Sequence, residues 1–302
     1  MYGGFSLELL RQVRCPDDGA ELILDGAAQD PVTGGEARCR QCGALYPVRG
    51  GILLLMSRHE ELNPICATEI VARDREADIY HNYCTPAGDF KEVPPTLAML
   101  GPLAGKSVLE LGCGTGRYSV RIAEQAAEFL GVDYSLESLR LLARTMPPGR
   151  GAGLVMADAT SFKTAPRRFD LVLSAQMLQH LPTAKLRDGL YREIARQLRP
   201  GGHFVCNAYH YHLSARLQGL PREGRHESGI FYHRFSVGEL AEEVGHHLAV
   251  LKAHPISIHV PFSGRLSLDD AWLSRRLERI PLVNALGELV LLKAQNTNCS
   301  RT

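Results

Sequence analysis

A glycine-rich turn follows an apolar segment that carries one carboxylate. The stretch VLELGCGTGRYSV, residues 108–120, has Glu110 near the end of that apolar segment. Three glycines then occupy alternate positions: Gly112, Gly114 and Gly116. Glycines let a backbone approach a ligand closely because no Cβ intervenes. A dinucleotide-binding turn needs its third glycine where Arg117 stands, and a carboxylate is electrostatically unsuited to pyrophosphate. The turn therefore favours a ligand with a cationic group, which Glu110 would anchor.

Strands and helices alternate in the sequence around this turn. Apolar segments that predict strands fall at 107–111, 128–132, 153–156, 170–174 and 203–207. Helical patterns separate them, most clearly over 183–198, where Thr183 begins the helix and RPGG ends it. A later helix is expected over 236–245, followed by strands near 248–259 and 287–293. This alternation is typical of a parallel sheet that helices cover on both faces.

Four further motifs follow the turn in sequence order. GVDYS places Asp133 at the end of the second predicted strand, and MADAT places Asp158 after the third. FDLVLSAQMLQHL covers the fourth strand, and LRPGGHFV covers the turn into the fifth. Together with VLELGCGTG, these motifs resemble those of class I S-adenosylmethionine-dependent methyltransferases, over roughly residues 75–295. In open parallel sheets, ligands bind beyond the carboxyl ends of the strands, where these motifs fall.

The resemblance implies that S-adenosylmethionine is the cofactor. The glycines would lie against its methionine portion and ribose, with Glu110 near the amino end. Asp133 would hold both ribose hydroxyls and Asp158 would contact the adenine amino group; alternatively, either aspartate caps a helix. Tyr80, in DIYHNY, is similar to an aromatic residue that folds over the cofactor in relatives, or else it packs the connector helix. The residues expected to bind the cofactor are Tyr80, Glu110, Gly112, Cys113, Gly114, Gly116, Asp133, Tyr134, Asp158, Ala159, Ser174 and Gln176.

Histidines mark the expected acceptor side of the site. His180 follows the fourth strand and should lie near the transferred methyl group, and His210 and His212 follow the fifth strand in NAYHYH. Imidazole titrates near neutral pH, so these three histidines are the candidate catalytic bases for a hydroxyl or an indole-type nitrogen. The alternative is that His180 only shapes the pocket or caps a helix, and that the other two are solvated loop residues. Displacement at a sulfonium methyl group needs mainly positioning and a deprotonated nucleophile.

Missing motifs narrow the acceptor chemistry. The segment SAQMLQHLP lacks the (Asp/Asn)-Pro-Pro-aromatic stretch of enzymes that methylate planar amino nitrogens of bases. The Pro-Cys pair of the RNA cytosine-C5 enzymes and the clustered carboxylates of metal-dependent catechol-type enzymes are missing as well. Methylation of O, N and C shares this scaffold, so the acceptor atom stays open.

The N-terminal segment is rich in turns and contains three cysteines. The stretch CPDDG…CRQCGALYPVRGGILLLM resembles the small zinc-ribbon protein that activates several tRNA and protein methyltransferases. That family uses two Cys-x-x-Cys knuckles; here Cys39 and Cys42 form one, whereas Cys15 is followed by Asp18. Three thiolates and a carboxylate suit tetrahedral zinc, so these four residues are the expected metal ligands. The alternative is a metal-free ribbon that its apolar strands hold together.

Composition and charge set further expectations. The chain has 302 residues, of which 45% are hydrophobic and 22% charged, and its formal net charge is +1. The balanced charge disfavours a nucleic acid partner without excluding one. Apolar segments are too short to cross a membrane, and the first residues do not have the pattern of a signal peptide. Eight unevenly spaced cysteines are more typical of a cytoplasmic chain than of a disulfide framework.

These features together predict a fold, a domain plan and a function. The expected fold is α/β, a doubly wound, mostly parallel, seven-stranded Rossmann-like sheet with a small β-rich N-terminal ribbon module. The expected parts are the ribbon module (1–58), a helical connector or lid (59–100) and a methyltransferase domain (101–302), with a substrate-capping insertion near 209–235. The expected function is methyl transfer to a small-molecule acceptor, such as a secondary metabolite. Two alternatives stay open: a tRNA or rRNA methyltransferase that docks through the ribbon, and a non-catalytic cofactor-binding subunit.

Overall fold

One mixed sheet of eleven strands organises the protein. The structure, a computed structural model, describes residues 2–24, 29–57, 71–75, 86–147, 151–260, 269–280 and 282–297. The strands in chain order are β1 (Val13–Arg14), β2 (Leu22–Leu24), β3 (Gly34–Cys39), β4 (Leu45–Arg49), β5 (Ile52–Leu54), β6 (Ser107–Leu111), β7 (Glu128–Asp133), β8 (Ala152–Met156), β9 (Lys163–Thr164), β10 (Phe169–Ala175), β11 (Leu198–Tyr209), β12 (Glu223–Arg225), β13 (Phe231–His233), β14 (Ala249–Ile258) and β15 (Gly287–Gln295). The helices are Leu7–Gln12, Pro86–Leu100, Ser119–Ala123, Leu136–Thr145, Ala184–Gln197, Leu213–Leu217, Val237–Gly245 and Asp270–Leu277, with a helical segment at 71–75 and 3-10 turns at Leu178–His180 and Asn284–Leu286.

The strand order of the central sheet creates a crevice. Strands β8, β7, β6, β10 and β11 are neighbours in that order and run parallel, and β15 and β14 complete this side with antiparallel pairing. The chain moves outward from β6 to β8 and then crosses to β10 on the other side of β6. Because the connections after β6 and β10 leave in opposite directions, a crevice opens at their carboxyl ends.

The predicted strands and helices of this region are present. The five parallel strands and the two late strands all form, and the helix expected over 183–198 is Ala184–Gln197. Thr183 begins it, since its hydroxyl accepts a hydrogen bond from the Leu186 N–H. Strand β11 is longer than the predicted 203–207, because Leu198 already pairs with Phe169 before a register irregularity.

The N-terminal strands extend the sheet beyond the seven strands predicted. Strand β5 pairs in parallel with β8, and β4, β3 and β2 continue outward with antiparallel pairing. At Gly153 of β8, an added Cβ would lie 2.8 Å from the ring of Phe5, so glycine makes room for this N-terminal side chain. The α/β fold prediction is confirmed, while the sheet has eleven strands. The edge of β8 is paired rather than left open, which removes an unpaired sheet edge.

The N-terminal residues share one apolar core with the central sheet. Phe5, Leu9 and Tyr46 belong to the same buried cluster as Val155 and Phe162. A second link forms where β1 pairs with β9, and the Lys163 Nζ donates to the Pro16 carbonyl at 2.8 Å. Both contacts attach the N-terminal strands to the segment that follows β8.

The region of the predicted insertion, 209–235, contains a short helix and the β12–β13 hairpin. His180 contacts this hairpin, because its Nδ1 lies 2.7 Å from the carbonyl oxygen of Phe231 in β13.

None of the helices within the described ranges is long and apolar enough to cross a bilayer.

Candidate active site

The glycine-rich loop after β6 packs closely against the neighbouring helix. Gly112, Gly114 and Gly116 have φ angles of +76°, +51° and +99°, in the region that favours glycine. A Cβ on Gly116 would lie 2.4 Å from Leu142 Cδ1, in the helix Leu136–Thr145. The loop therefore keeps its backbone at the crevice because these positions carry no side chains.

Asp133 ends β7 beside this loop. Its Oδ2 accepts a hydrogen bond from the Gly114 N–H at 2.7 Å, and its Oδ1 accepts one from the Ser135 N–H at 2.9 Å. Burial raises the pKa of Asp133. An ionised carboxylate has about four acceptor positions, so these two bonds leave capacity for hydroxyl groups of a ligand.

Glu110 lies on β6 beneath the loop and is only 1% exposed. The Ser119 hydroxyl donates to its Oε2 at 2.7 Å. Burial, together with the smaller effect of the Asp133 charge, raises the pKa of Glu110 to about 8. A cationic group of a ligand placed here would favour the ionised carboxylate, which agrees with the ligand class expected from the turn.

Asp158 follows β8 and stabilises the turn in which it lies. Its Oδ1 accepts hydrogen bonds from the N–H and the hydroxyl of Thr160, both at 2.7 Å. Asp158 also lines the cleft. Asp158 therefore lines the cleft while it stabilises its own turn; residues 159–161 form that turn, so Asp158 does not cap a helix.

A cleft connects these residues at the crevice of the sheet. Its empty volume is about 980 Å³, which includes space open to solvent. The predicted site residues that line it are Glu110, Gly112, Cys113, Gly114, Asp133, Tyr134, Asp158, Ala159, Gln176 and His180. Gly116 and Ser174 do not belong to this lining: Gly116 packs against Leu142, and Ser174 is fully buried in β10. Tyr80 lies outside the described residues.

His180 lines the cleft in its neutral form. Its Nδ1 donates to the Phe231 carbonyl at 2.7 Å, so the Nε2 lone pair faces the Arg73 guanidinium, 3.0 Å away. Burial, and then the positive charge of Arg73, lower the pKa of His180 to about 3. At neutral pH this imidazole is a hydrogen-bond acceptor and a weak base.

His210 and His212 occupy a different position from the one predicted. The Nδ1 of His210 lies 2.7 Å from the Gly287 carbonyl, at the start of β15. His212 begins the helix Leu213–Leu217, since its Nδ1 accepts a hydrogen bond from the Ala215 N–H. Neither belongs to the described lining of the cleft. The turn after β11 points them at the antiparallel strand and the short helix, so the expectation that they face the cleft needs correction.

A hydrogen-bond network that no sequence motif predicted borders the cleft. Glu92, in the helix Pro86–Leu100, accepts hydrogen bonds from Tyr118 Oη at 2.8 Å and Gln176 Nε2 at 2.6 Å. The Arg117 guanidinium lies 2.8 Å from its Oε2. This network holds Gln176 toward the cleft. In the sequence, Arg117 was noted only because it stands where a dinucleotide-binding turn has its third glycine. Glu92 lies in no recognised motif.

A second cluster lies among the N-terminal strands. Cys15, Asp18, Cys39 and Cys42 each offer one ligand atom, and these atoms all lie within 4.8 Å of one another. Cys39 Sγ lies 3.4 Å from both oxygens of Asp18, and Cys15 Sγ lies 3.7 Å from Cys42 Sγ. The four predicted metal ligands are therefore brought together.

Comparisons with known proteins agree with this fold. A family model described as "Methyltransferase domain" matches residues 108–202. The ubiquinone biosynthesis O-methyltransferase of Ralstonia nicotianae is 27% identical over 215 residues, which cover 65% of this chain and 87% of that protein.

Two solved structures have similar folds. The Burkholderia thailandensis 1,6-didemethyltoxoflavin-N1-methyltransferase, with bound 1,6-didemethyltoxoflavin and S-adenosylhomocysteine, has a TM-score of 0.54 at 18% identity and covers 92% of this chain and 100% of that chain. A chain of the complex between the Haloferax volcanii Trm112 methyltransferase activator and a methyltransferase has a TM-score of 0.55 at 19% identity, covering 74% and 97%.

The fold is therefore that of the α/β methyltransferases. Together with the matched domain and the cleft, this identifies the protein as an S-adenosylmethionine-dependent methyltransferase, with S-adenosylmethionine as its cofactor.

Proposed function

We propose that the protein transfers the methyl group of S-adenosylmethionine to a small-molecule acceptor, at an oxygen, a nitrogen or an electron-rich ring carbon. The observation that carries this proposal is one cleft that joins the glycine loop and the strand-end carboxylates to His180. The names of similar proteins support it, since one is an O-methyltransferase of ubiquinone biosynthesis and another holds 1,6-didemethyltoxoflavin.

The residues of the cleft have distinct proposed roles. Gly112, Cys113 and Gly114 hold the methionine portion and ribose, Gly116 keeps the loop packed against Leu142, and Glu110 lies near the ammonium group. Asp133 and Tyr134 bind the ribose, and Asp158 and Ala159 contact the adenine. Gln176, which Glu92 holds at the cleft, is a further proposed cofactor contact, whereas Ser174 is buried in β10 behind the lining. When bound, the cofactor supplies a methyl group already activated by its sulfonium, so the protein mainly orients the two reactants.

A label-transfer experiment tests this function. The protein is incubated with methyl-labelled S-adenosylmethionine and an extract of its host, and RNA, protein and organic-soluble fractions are then separated. Label in the organic-soluble fraction is the expected result. Label in RNA would instead support RNA methylation with docking through the N-terminal strands. Cofactor binding without any labelled fraction would support a non-catalytic subunit.

We also propose a structural zinc ion at the N-terminal cluster. A tetrahedron with zinc–sulfur bonds of about 2.3 Å has edges of about 3.8 Å. The Cys15–Cys42 sulfur separation of 3.7 Å and the Cys39–Asp18 distances of 3.4 Å fit such edges. The five cysteines of the described ranges carry free thiols, the state that a reducing compartment such as the cytoplasm maintains. Elemental analysis of protein purified without chelator should find about one zinc per chain, and its absence would contradict the proposal.

A further inference from the structure

We propose that Gln176 accepts a hydrogen bond from the ammonium group of the cofactor through its side-chain oxygen, and that Glu92 is the positioning residue that directs this oxygen into the cleft. The inference rests on the proposed placement of the ammonium group near Glu110, and it adds a second acceptor atom to that placement. Glu92 lies outside residues 108–202, the part of the chain that the family model matches.

Glu92 joins the chain segments at one end of the cleft through four hydrogen-bond donors. It is only 3% exposed. Its Oε1 accepts hydrogen bonds from the Tyr118 hydroxyl at 2.8 Å and from Asn207 Nδ2 at 3.3 Å. Its Oε2 accepts one from Gln176 Nε2 at 2.6 Å and lies 2.8 Å from the Arg117 guanidinium. Because a carboxylate has about four acceptor positions, these contacts fix Glu92 completely.

Glu92 determines the orientation of the Gln176 amide. A carboxylate can only accept hydrogen bonds, so the amide turns its NH2 group toward Glu92 and its oxygen away. Gln176 also lines the cleft. Within the described ranges its Oε1 accepts no hydrogen bond, and it is not among the buried polar atoms that lack a partner. This oxygen is therefore available to a ligand in the cleft.

The backbone of Gln176 is held in place as well. Its φ angle is +49°, in a region that residues other than glycine rarely adopt. Asn207 stabilises this conformation, because its carbonyl oxygen and its Oδ1 both accept from the Gln176 N–H, at 2.9 and 3.0 Å. Strained residues of this kind cluster at ligand sites. Asn207 and Glu92 thus fix the backbone and the side chain of Gln176 before a ligand binds.

Gln176 and Glu110 border the same end of the cleft. Both residues line it. The Ser119 hydroxyl donates to Glu110 at 2.7 Å, and the preceding residue, Tyr118, donates to Glu92. The two carboxylates therefore meet neighbouring residues at the start of the helix Ser119–Ala123. A group that Glu110 anchors lies beside the amide that Glu92 orients.

An amide suits this position better than a further carboxylate. An ammonium group has three N–H donors, and Glu110 supplies a charged acceptor for one of them. The charge of Glu92 is already matched by Arg117, which also contacts Asp89 at 2.6 Å. A carboxylate in place of the Gln176 amide would face Glu92 Oε2, and two carboxylates that close would share a proton. The amide adds an acceptor without this repulsion.

Three ligands that differ only at the amino acid end test the role of Gln176. S-Adenosylhomocysteine has the ammonium and carboxylate groups, its decarboxylated analogue keeps only the ammonium, and 5′-methylthioadenosine lacks both. Isothermal titration calorimetry measures each affinity. Gln176→Ala should weaken the first two ligands about tenfold and leave the third unchanged. Gln218→Ala, an exposed glutamine outside the described lining of the cleft, is the matched control and should bind all three normally.

A second substitution tests whether Glu92 acts through Gln176. Glu92→Gln keeps the shape of the side chain but can also donate, so the Gln176 amide loses its single orientation. The same two ligands should bind about tenfold more weakly, with 5′-methylthioadenosine again unchanged. Added to Gln176→Ala, the Glu92→Gln substitution should have little further effect, because coupled residues are not additive. A purely structural role of Glu92 would weaken all three ligands alike.

Several outcomes would overturn the inference. One is a Gln176→Ala protein that binds all three ligands normally, or that loses affinity for all three equally. A loss for S-adenosylhomocysteine but not for its decarboxylated analogue would assign Gln176 to the carboxylate group instead. Additive effects of the two substitutions would remove the role of Glu92. None of these measurements requires turnover, so the label-transfer experiment tests the proposed methyl transfer separately.

Discussion

The cofactor cleft and the N-terminal thiol cluster are two polar sites built on one sheet, and they differ in how their side chains are arranged. In the cleft, the carboxylates accept backbone hydrogen bonds and lie apart along the lining: Asp133 accepts from Gly114 and Ser135, and Asp158 accepts from Thr160. In the cluster, backbone N–H groups also donate to Asp18 and Cys39, but the four side chains converge, with the Cys39 thiol directed at the Asp18 carboxylate.

This difference predicts whether substitutions at each site alter ligand affinity or folding stability. Backbone donors fix the carboxylates of the cleft before a ligand arrives, so changes there should alter affinity more than folding. Thiols and a carboxylate that face one another are best satisfied by a cation, so changes in the cluster should alter folding more than affinity.

The largest expected effect is the loss of stability when the cluster is disrupted. Cys39→Ser should lower the free energy of unfolding by about 3 kcal/mol, because a structural zinc contributes directly to folding while the shared apolar core remains. Urea unfolding measures this change, and a chelator should lower the stability of the unmodified protein by a similar amount. The chelator should have no further effect on Cys39→Ser. If the chelator lowered the free energy of unfolding equally in Cys39→Ser and in the unmodified protein, the proposed metal dependence of the cluster would be contradicted.

Asp133 should give the largest effect on affinity. Asp133→Ala removes the acceptor of two backbone N–H groups and of the expected ribose hydroxyls, so affinity for S-adenosylhomocysteine should fall on the order of 100-fold. Isothermal titration calorimetry measures it. Asp188→Ala, an exposed carboxylate on the helix Ala184–Gln197, is the control and should bind normally. Unchanged affinity in Asp133→Ala would show that the ribose assignment is wrong.

Two glycine-to-alanine substitutions distinguish the cost of crowding the glycine loop from the gain in helix propensity. Gly116→Ala should cost about 2 kcal/mol, because its Cβ would lie 2.4 Å from Leu142 Cδ1 at a positive φ. Gly189→Ala, in the helix Ala184–Gln197 with open space around its Cβ, should instead stabilise the protein by up to about 1 kcal/mol. Thermal and urea unfolding of both variants test the pair. A stable Gly116→Ala would mean that the loop moves away from Leu142 at little cost.

The sequence predicted those parts of the site whose signals are local. Strands such as Ser107–Leu111 have continuous apolar patterns, and Glu110, Asp133 and Asp158 lie at or near strand ends within short motifs. Their positions at the cleft could therefore be predicted without knowing the packing of distant segments, while their roles toward the cofactor stay predictions. The four metal-type ligands were likewise visible as two closely spaced pairs.

Contacts between distant segments were missed because no local sequence pattern marks them. Arg73 meets His180 across 107 positions of sequence, and Glu92 meets Gln176 across 84. Both come from polar segments that carry no motif. The pairing of β5 with β8 joins residues 52–54 to 154–156, so the eleven-stranded sheet could not be read from either segment alone.

Substitution of His212 is expected to have the smallest effect, and it tests whether the cleft extends past the end of β11. His212 caps the helix Leu213–Leu217 through its Nδ1, so His212→Ala should cost about 1 kcal/mol of stability and leave kcat unchanged. His212→Asn should restore the stability, because an asparagine side chain can accept the same backbone hydrogen bond. Urea unfolding together with single-turnover methyl transfer measures both quantities. A large loss of turnover in His212→Asn, with stability preserved, would place this imidazole in the reaction and show that the cleft extends past the end of β11.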